Sequence, residues 1–266
     1  MGAYDFFGNV VLVKFDRKTS AREKKKFAEK IMKENTAIKT VLEKTGKFKG
    51  RLRKQETKYL LGLKTKEVLY RENGCVFRFN IDKTYFSPRL GNERKEIAGL
   101  IKGGDVLVMF AGAAPYSIVI AKNSKSKKVY SNEINKEANK YGEQNVIMNK
   151  LKDNVIMLNG NIQYVATKVK KGLKVNNEPV PKSFDYIVMP RPQLKDSFLK
   201  ETFSLSKKGT TVFYYDFCKD DEIDFIKDKL NREAKDAKKK IKILRIKLAG
   251  EIGPHKMRLR VDFKVV

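Results

Sequence analysis

Residues 105–116, Asp-Val-Leu-Val-Met-Phe-Ala-Gly-Ala-Ala-Pro-Tyr, read as a buried strand ending at Phe110, a small-residue turn around Gly112 and a helix start. Small side chains there let a ligand approach the backbone at the carboxyl edge of a parallel sheet. The turn lacks the three spaced glycines of the dinucleotide fingerprint. The next predicted strand runs through Lys128-Val-Tyr-Ser-Asn and ends in Glu133, a carboxylate able to take both hydroxyls of a ribose. A third ends in Leu158-Asn-Gly-Asn161, whose amide suits an adenine edge. Three successive tips of this kind predict a nucleoside pocket, with ordinary βα turns as the alternative. Arg89 and Glu93 are four residues apart, on one face of a predicted helix; in isolation they read best as a surface ion pair. A basic segment from Lys44 to Lys54 carries cations at 44, 47, 49, 51, 53 and 54. Two glycines and Phe48 are interleaved, which suits a mobile phosphate-contacting loop; the alternative is a solvated face.

These residues need elements to place them. Residues 1–83 predict a small α+β unit with strands at 10–15, 37–42, 59–63 and 75–81. Ser20 is a suitable N-cap for a helix reaching about residue 34, with Phe27, Ala28 and Ile31 on one face. In the last strand Cys75, Phe77, Phe79 and Ile81 alternate with Val76, Arg78 and Asn80, the pattern of a half-buried strand. Residues 84–266 alternate strands at 105–110, 127–131, 154–158, 184–189 and 210–216 with helices at 88–101, 116–122, 135–149, 193–207 and 219–238. Strands follow at 241–249 and 257–265. That order predicts an α/β domain with a mostly parallel sheet covered on both faces, closed by a hairpin.

Composition limits the chemistry. The chain has 266 residues, with 59 Lys and Arg against 31 Asp and Glu, a formal net charge of +28. Such an excess points to an anionic partner, nucleic acid before acidic membrane, on top of any general lysine-rich bias of the host. Two cysteines, Cys75 and Cys218, are too few for a disulfide scaffold and read as core thiols in a reducing cytosol. The single histidine, His255, nearly excludes a histidine-based metal centre or a Ser–His relay, and no metal is expected. The start of the chain lacks a secretory pattern, and the longest apolar stretch, 106–121, is short for a bilayer and interrupted by Gly112 and Pro115. A cytoplasmic protein without a membrane segment is expected.

Several segments carry a resemblance. Thr84-Tyr-Phe-Ser-Pro-Arg-Leu-Gly-Asn-Glu-Arg94, Met109-Phe-Ala-Gly-Ala-Ala-Pro-Tyr-Ser-Ile118, Asn132-Glu-Ile-Asn-Lys-Glu-Ala138, Ile187-Val-Met-Pro-Arg-Pro192 and Phe213-Tyr-Tyr-Asp-Phe217 resemble, in order and spacing, the archaeal and eukaryotic tRNA (guanine-37 N1)-methyltransferase family. The resemblance covers essentially the whole chain. It implies a Rossmann-like class I methyltransferase domain at 84–266 and a preceding tRNA-contacting α+β domain at 1–83. It implies S-adenosylmethionine as cofactor, the tRNA anticodon loop with nucleotide 37 as substrate, and a monomer. By position it assigns Glu93 as general base, Arg53 beside the target guanine's oxygen and Tyr85 as support of the active site. Phe110, Gly112, Glu133, Asn161 and Pro190 fall at the cofactor positions, and Arg89, Lys47, Lys49 and Arg51 at RNA-facing ones. The chemistry is consistent with the set: guanine N1 must lose a proton before it attacks the methyl sulfonium, a carboxylate can accept that proton, and an arginine can stabilise charge on the adjacent oxygen.

Three departures from the family stand out. Pro190-Arg191-Pro192 replaces an Asn-Leu-Pro common at the fourth strand tip, and Pro190 offers a carbonyl but no N–H. Ala113-Ala114 stands where a glycine is common. An extra N-terminal domain of many relatives has no counterpart before residue 1. The competing readings are an aminocarboxypropyl transferase of wyosine biosynthesis, whose relatives carry Ser-Pro-Gly-Asn in place of Ser87-Pro-Arg-Leu90, and a non-catalytic basic tRNA-binding protein. Methylation of a wyosine intermediate at the same nucleotide is a possible second activity.

Overall fold

The computed structural model describes residues 3–46, 50–219, 222–253 and 255–266. The first unit is a four-stranded sheet in the order β1 (Ala3–Phe7), β2 (Val10–Lys14), β3 (Thr40–Lys44), β4 (Thr57–Gly62), with β2 and β3 parallel and the outer pairs antiparallel. Strand β2 is an unbroken apolar run because both its faces are covered. Val11 and Val13 meet Ala28 and Ile31 of helix α1 (Ala21–Glu34), while Val10 and Leu12 join the main core. Ser20 starts α1 through a capping box: its hydroxyl accepts the Glu23 N–H at 3.3 Å, and Glu23 accepts the Ser20 N–H at 2.7 Å. A hairpin of β5 (Glu67–Glu72) and β6 (Cys75–Asn80) follows, turning at Asn73-Gly74 with both φ values positive. Cys75, Phe77, Phe79 and Ile81 are buried, as their alternation predicts.

The second unit begins with a 3-10 turn at Pro88–Leu90 and α2 (Gly91–Leu100). Then come β7 (Asp105–Val108), α3 (Pro115–Asn123), β8 (Lys128–Glu133), α4 (Lys136–Met148), β9 (Val155–Asn159) and α5 (Ile162–Lys170). A small hairpin of β10 (Lys174–Val175) and β11 (Glu178–Pro179) leads to β12 (Phe184–Met189), α6 (Leu199–Ser204), β13 (Ser206–Cys218), α7 (Ile223–Asp236), β14 (Ile241–Gly253) and β15 (Lys256–Val265). The sheet order is β14-β15-β13-β12-β7-β8-β9. Strands β13, β12, β7, β8 and β9 are parallel, and the closing β14–β15 hairpin is antiparallel. Alternation along β7 divides the core: Val106 and Val108 face the side of α2, α3 and α4, whereas Leu107 and Met109 face α5, α6 and α7. Two amides of α4 bind the units together. Asn145 and Asn149 each accept a backbone N–H from β6 and donate to a carbonyl of the same strand, as a neighbouring strand would.

Two expectations change. A helix at 193–207 is reduced to the six residues of α6, because Arg191 holds the Leu194 and Asp196 carbonyls in a loop. Helix α5 was not anticipated, although Ile162, Val165, Ala166 and Val169 lie at helical spacing and are buried. Strands β1 and β5 also went unread.

Candidate active site

The order in which strands are added reverses at β7. The chain moves outward to β8 and β9, then returns to β12 on the other side. This switch point opens a crevice at the carboxyl ends of the strands. A cavity lies there, walled by the tips after β7, β8, β9 and β12 and roofed by Arg51, Arg53 and Tyr85.

The β7 tip is a strained turn. Phe110 (φ 59°) and Ala114 (φ 64°) take left-handed conformations that cost an L-residue about 1–2 kcal/mol each. Gly112 (φ 59°) does so without that cost, and an added Cβ would lie 3.2 Å from the Tyr85 carbonyl. Ala114 therefore occupies a position that favours glycine. The turn is held by Met109 N–H to Val188 O (2.9 Å) and Ala111 N–H to Asn132 O (2.8 Å).

Glu133 closes the β8 tip. Its carboxylate accepts the Gly112 N–H at 2.7 Å and the Asn135 N–H at 2.8 Å. Burial pushes its pKa up, against the pull of the Asn135, Gly112 and Ile134 N–H groups. Asn161 at the β9 tip is the N-cap of α5, accepting the Gln163 N–H at 3.3 Å. Its oxygen also accepts a bond from Arg51 Nη2 at 3.1 Å, so the amide expected to read an adenine is partly committed to the fold. At the β12 tip Pro190 lines the cavity, and Arg191 turns inward. Arg191 is 4% exposed and bonds Asp216 (2.7 Å) and the Leu194 (2.7 Å) and Asp196 (3.0 Å) carbonyls. Burial opposes charge on Asp216, but Arg191, the Tyr214 hydroxyl and Lys229 outweigh it and hold its carboxyl below the usual range.

On the side of the first unit, the Arg53 guanidinium lies over the Tyr85 ring, 4.6 Å from its centroid. Arg94 is fully buried, forked onto Glu72 and bonded to the Ser87 carbonyl at 3.0 Å, beneath the Phe86 and Tyr116 rings.

The structure corrects the pairing of Arg89 with Glu93. Arg89 lies in the 3-10 turn before α2, exposed, and pairs with Asp5 of β1 at 2.7 Å. Glu93 is buried and pairs with Arg260 of β15 at 2.6 Å and Lys247 of β14 at 3.1 Å. It does not line the cavity. The Tyr215 hydroxyl, which donates to Glu93 at 2.7 Å, belongs to a side chain that does. Lys47 and Lys49 lie outside the described residues. Tyr215, Tyr116, Arg94, Arg191 and Arg258 complete the wall and were not singled out from sequence. Arg191 between two prolines and Arg258 between Met257 and Leu259 are the signal that was present.

A groove joins this cavity. It runs from Lys14 and Lys44 of the first unit past Arg53 and Arg89 to Lys256 and Arg258 of the closing hairpin. Arg53, Tyr85 and Arg258 border both. Burial lowers the Lys44 pKa against the pull of Asp5, with smaller contributions from Lys14, Arg53 and Arg89. Asp5 and Glu251 are its acidic wall residues.

A mostly parallel, doubly wound sheet with a crevice at its switch point, set beside a cationic groove, defines a Rossmann-like domain. Residues 68–244 match the TRM5/TYW2 methyltransferase domain. The tRNA (guanine(37)-N(1))/4-demethylwyosine(37)-methyltransferase Taw22 of Nanoarchaeum equitans is 30% identical, over 99% of this chain and 100% of its own length. The crystal structure of Trm5b from Pyrococcus abyssi superposes with a TM-score of 0.84 at 26% identity, covering 99% of this chain and 74% of that one. The complex of aTrm5 with tRNALeu gives 0.82 at 25% identity, covering 99% and 72%. The chain belongs to the TRM5/TYW2 methyltransferase family.

Proposed function

We propose that this protein transfers a methyl group from S-adenosylmethionine to N1 of guanine 37 in tRNA. The observation that carries the reading is the shared border of the two depressions: a nucleoside crevice whose mouth, at Arg53, Tyr85 and Arg258, is also the end of a cationic groove. A base delivered from a phosphate backbone in the groove meets a cofactor held at the strand tips. Phe110, Gly112, Glu133, Asn161 and Pro190 hold the cofactor, with Glu133 taking the ribose hydroxyls. The buried Arg191 fixes the loop after the fourth tip by bonding the Leu194 and Asp196 carbonyls.

Guanine N1 loses its proton, its lone pair takes the methyl carbon, and the C–S bond breaks with its electrons staying on sulfur. Arg53, preorganised on the Tyr85 ring, stabilises charge on the base oxygen. Glu93 is the final proton acceptor, and Arg89 and Arg51 contact phosphates together with the Lys47–Lys49 segment. The enzyme acts as a cytoplasmic monomer. Residues 1–83 serve as the tRNA-contacting domain and 84–266 as the catalytic one. The match to the bifunctional Nanoarchaeum relative favours a wyosine intermediate as a second substrate. Labelled methyl transfer to tRNA transcripts with G or A at position 37, followed by nucleoside analysis, tests the reading. Methylated product from G37 alone supports it, and equal labelling of both transcripts refutes it.

A further inference from the structure

We propose that Tyr215 relays the proton from the target base to Glu93. The proposal rests on the methyl-transfer reading above. Glu93 is 6% exposed and stands behind the cavity wall. Its Oε1 accepts from Arg260 Nη1 at 2.6 Å and from Tyr215 Oη at 2.7 Å, and its Oε2 from Lys247 Nζ at 3.1 Å. Tyr215 sits on the wall, with the Tyr116 hydroxyl 3.4 Å from its own. Of the hydrogen-bonded pair, Tyr215 and not Glu93 lines the crevice that a base would enter.

A phenol oxygen can accept one proton while releasing another. In the step assigned here the N1 proton moves to Tyr215 Oη as the Tyr215 proton moves to Glu93. The N1 lone pair then forms the N–CH3 bond, and the C–S pair stays on sulfur. The net change is one methyl from sulfur to nitrogen and one proton from nitrogen to Glu93, with Tyr215 neutral before and after. The two transfers are coupled, because a separate tyrosinate is strongly disfavoured: burial, Tyr116 and Glu93 all push the Tyr215 hydroxyl well above its ordinary range. Arg260 at 2.6 Å and Lys247 at 3.1 Å hold the Glu93 carboxylate in place beside the phenol. Arg260 stays protonated, since Asp262 and Glu93 outweigh the effect of its burial.

The test is single-turnover methyl transfer by wild type, Tyr215→Phe and Glu93→Gln, with tRNA and cofactor saturating. Tyr215→Phe keeps the ring that packs on Tyr116 and removes one oxygen. Each variant is expected to lose roughly a hundredfold, and the double variant no more than the slower single one, since both remove one pathway. Cofactor affinity of Tyr215→Phe should stay within about twofold of wild type. The wild-type rate should show a larger solvent deuterium isotope effect than Tyr215→Phe, because two protons move in one and not in the other. A folded Tyr215→Phe with near-normal rate, or with a slow rate but an unchanged isotope effect and pH profile, overturns the relay while leaving methyl transfer standing. A wild type that transfers no methyl to tRNA overturns the underlying reading and the relay with it.

Discussion

Replacing Glu133 with alanine should weaken S-adenosylmethionine binding ten- to a hundredfold. Each carboxylate oxygen accepts one backbone N–H, from Gly112 at 2.7 Å and Asn135 at 2.8 Å, and keeps a second acceptor position for the ligand. A hydrogen bond to a charged acceptor is worth about 1.5–3 kcal/mol net of exchange with water. Loss of one such bond, with the second hydroxyl re-bonded to water, corresponds to about ten- to a hundredfold in Kd. The same substitution strands two turn N–H groups, so stability should fall as well, by about 1–3 kcal/mol. Glu133→Gln keeps one acceptor and separates the two effects. Titration calorimetry reads the affinity and thermal melting the fold. The pH dependence provides an independent check. Burial raises the Glu133 pKa in the free protein, so the folded state holds this proton more tightly than the unfolded chain. That stability is complete below the ordinary carboxylate pKa and is lost as pH rises through the raised one. Cofactor affinity must run the opposite way over the same window, increasing with pH as the carboxylate ionises. A folded Glu133→Ala with unchanged Kd, or a wild-type Kd flat across that window, would refute the assignment.

Gly112→Ala should cost about 1–2 kcal/mol in stability and weaken the cofactor, since φ is 59° there and the same residue donates to Glu133; melting and calorimetry check both. Arg191→Met removes the buried cation bonded to Asp216, leaving it Lys229 and the Tyr214 hydroxyl, and should cost about 3–5 kcal/mol, lowering Tm by roughly 10 °C in a thermal melt. Replacing Lys14, Lys44 and Lys256 together with alanine should reduce the slope of log tRNA affinity against log salt by about two, measured by filter binding at several salt concentrations. An unchanged slope would place the RNA elsewhere.

Local patterns carried much of the fold. The alternation in Cys75–Ile81 and the Ser20 capping box needed no partners to be read, because period and cap chemistry are properties of the segment. The parallel order was legible from alternating elements, and Glu133, Gly112 and Asn161 fell at strand tips for the same reason. Where the structure departs from the local pattern, distant bonds are the cause. The run at 193–207 has helix-forming residues, yet Arg191 fixes its first part in a loop through bonds to carbonyls and to Asp216 of a distant strand. Tertiary bonding outweighed propensity there.

Sequence by itself determined the α/β class, the large positive net charge and the family. Each rests on residues close together along the chain or on composition. Only the tertiary structure decided the partners of Arg89 and Glu93. Four residues apart, they are parted by the change from 3-10 turn to helix: one pairs with Asp5, 84 positions away, and the other with Arg260, 167 positions away. It also decided that Tyr215 stands between Glu93 and the cavity. Such pairings depend on how strands and helices from opposite ends of the chain come into register, and spacing within one segment carries no record of them.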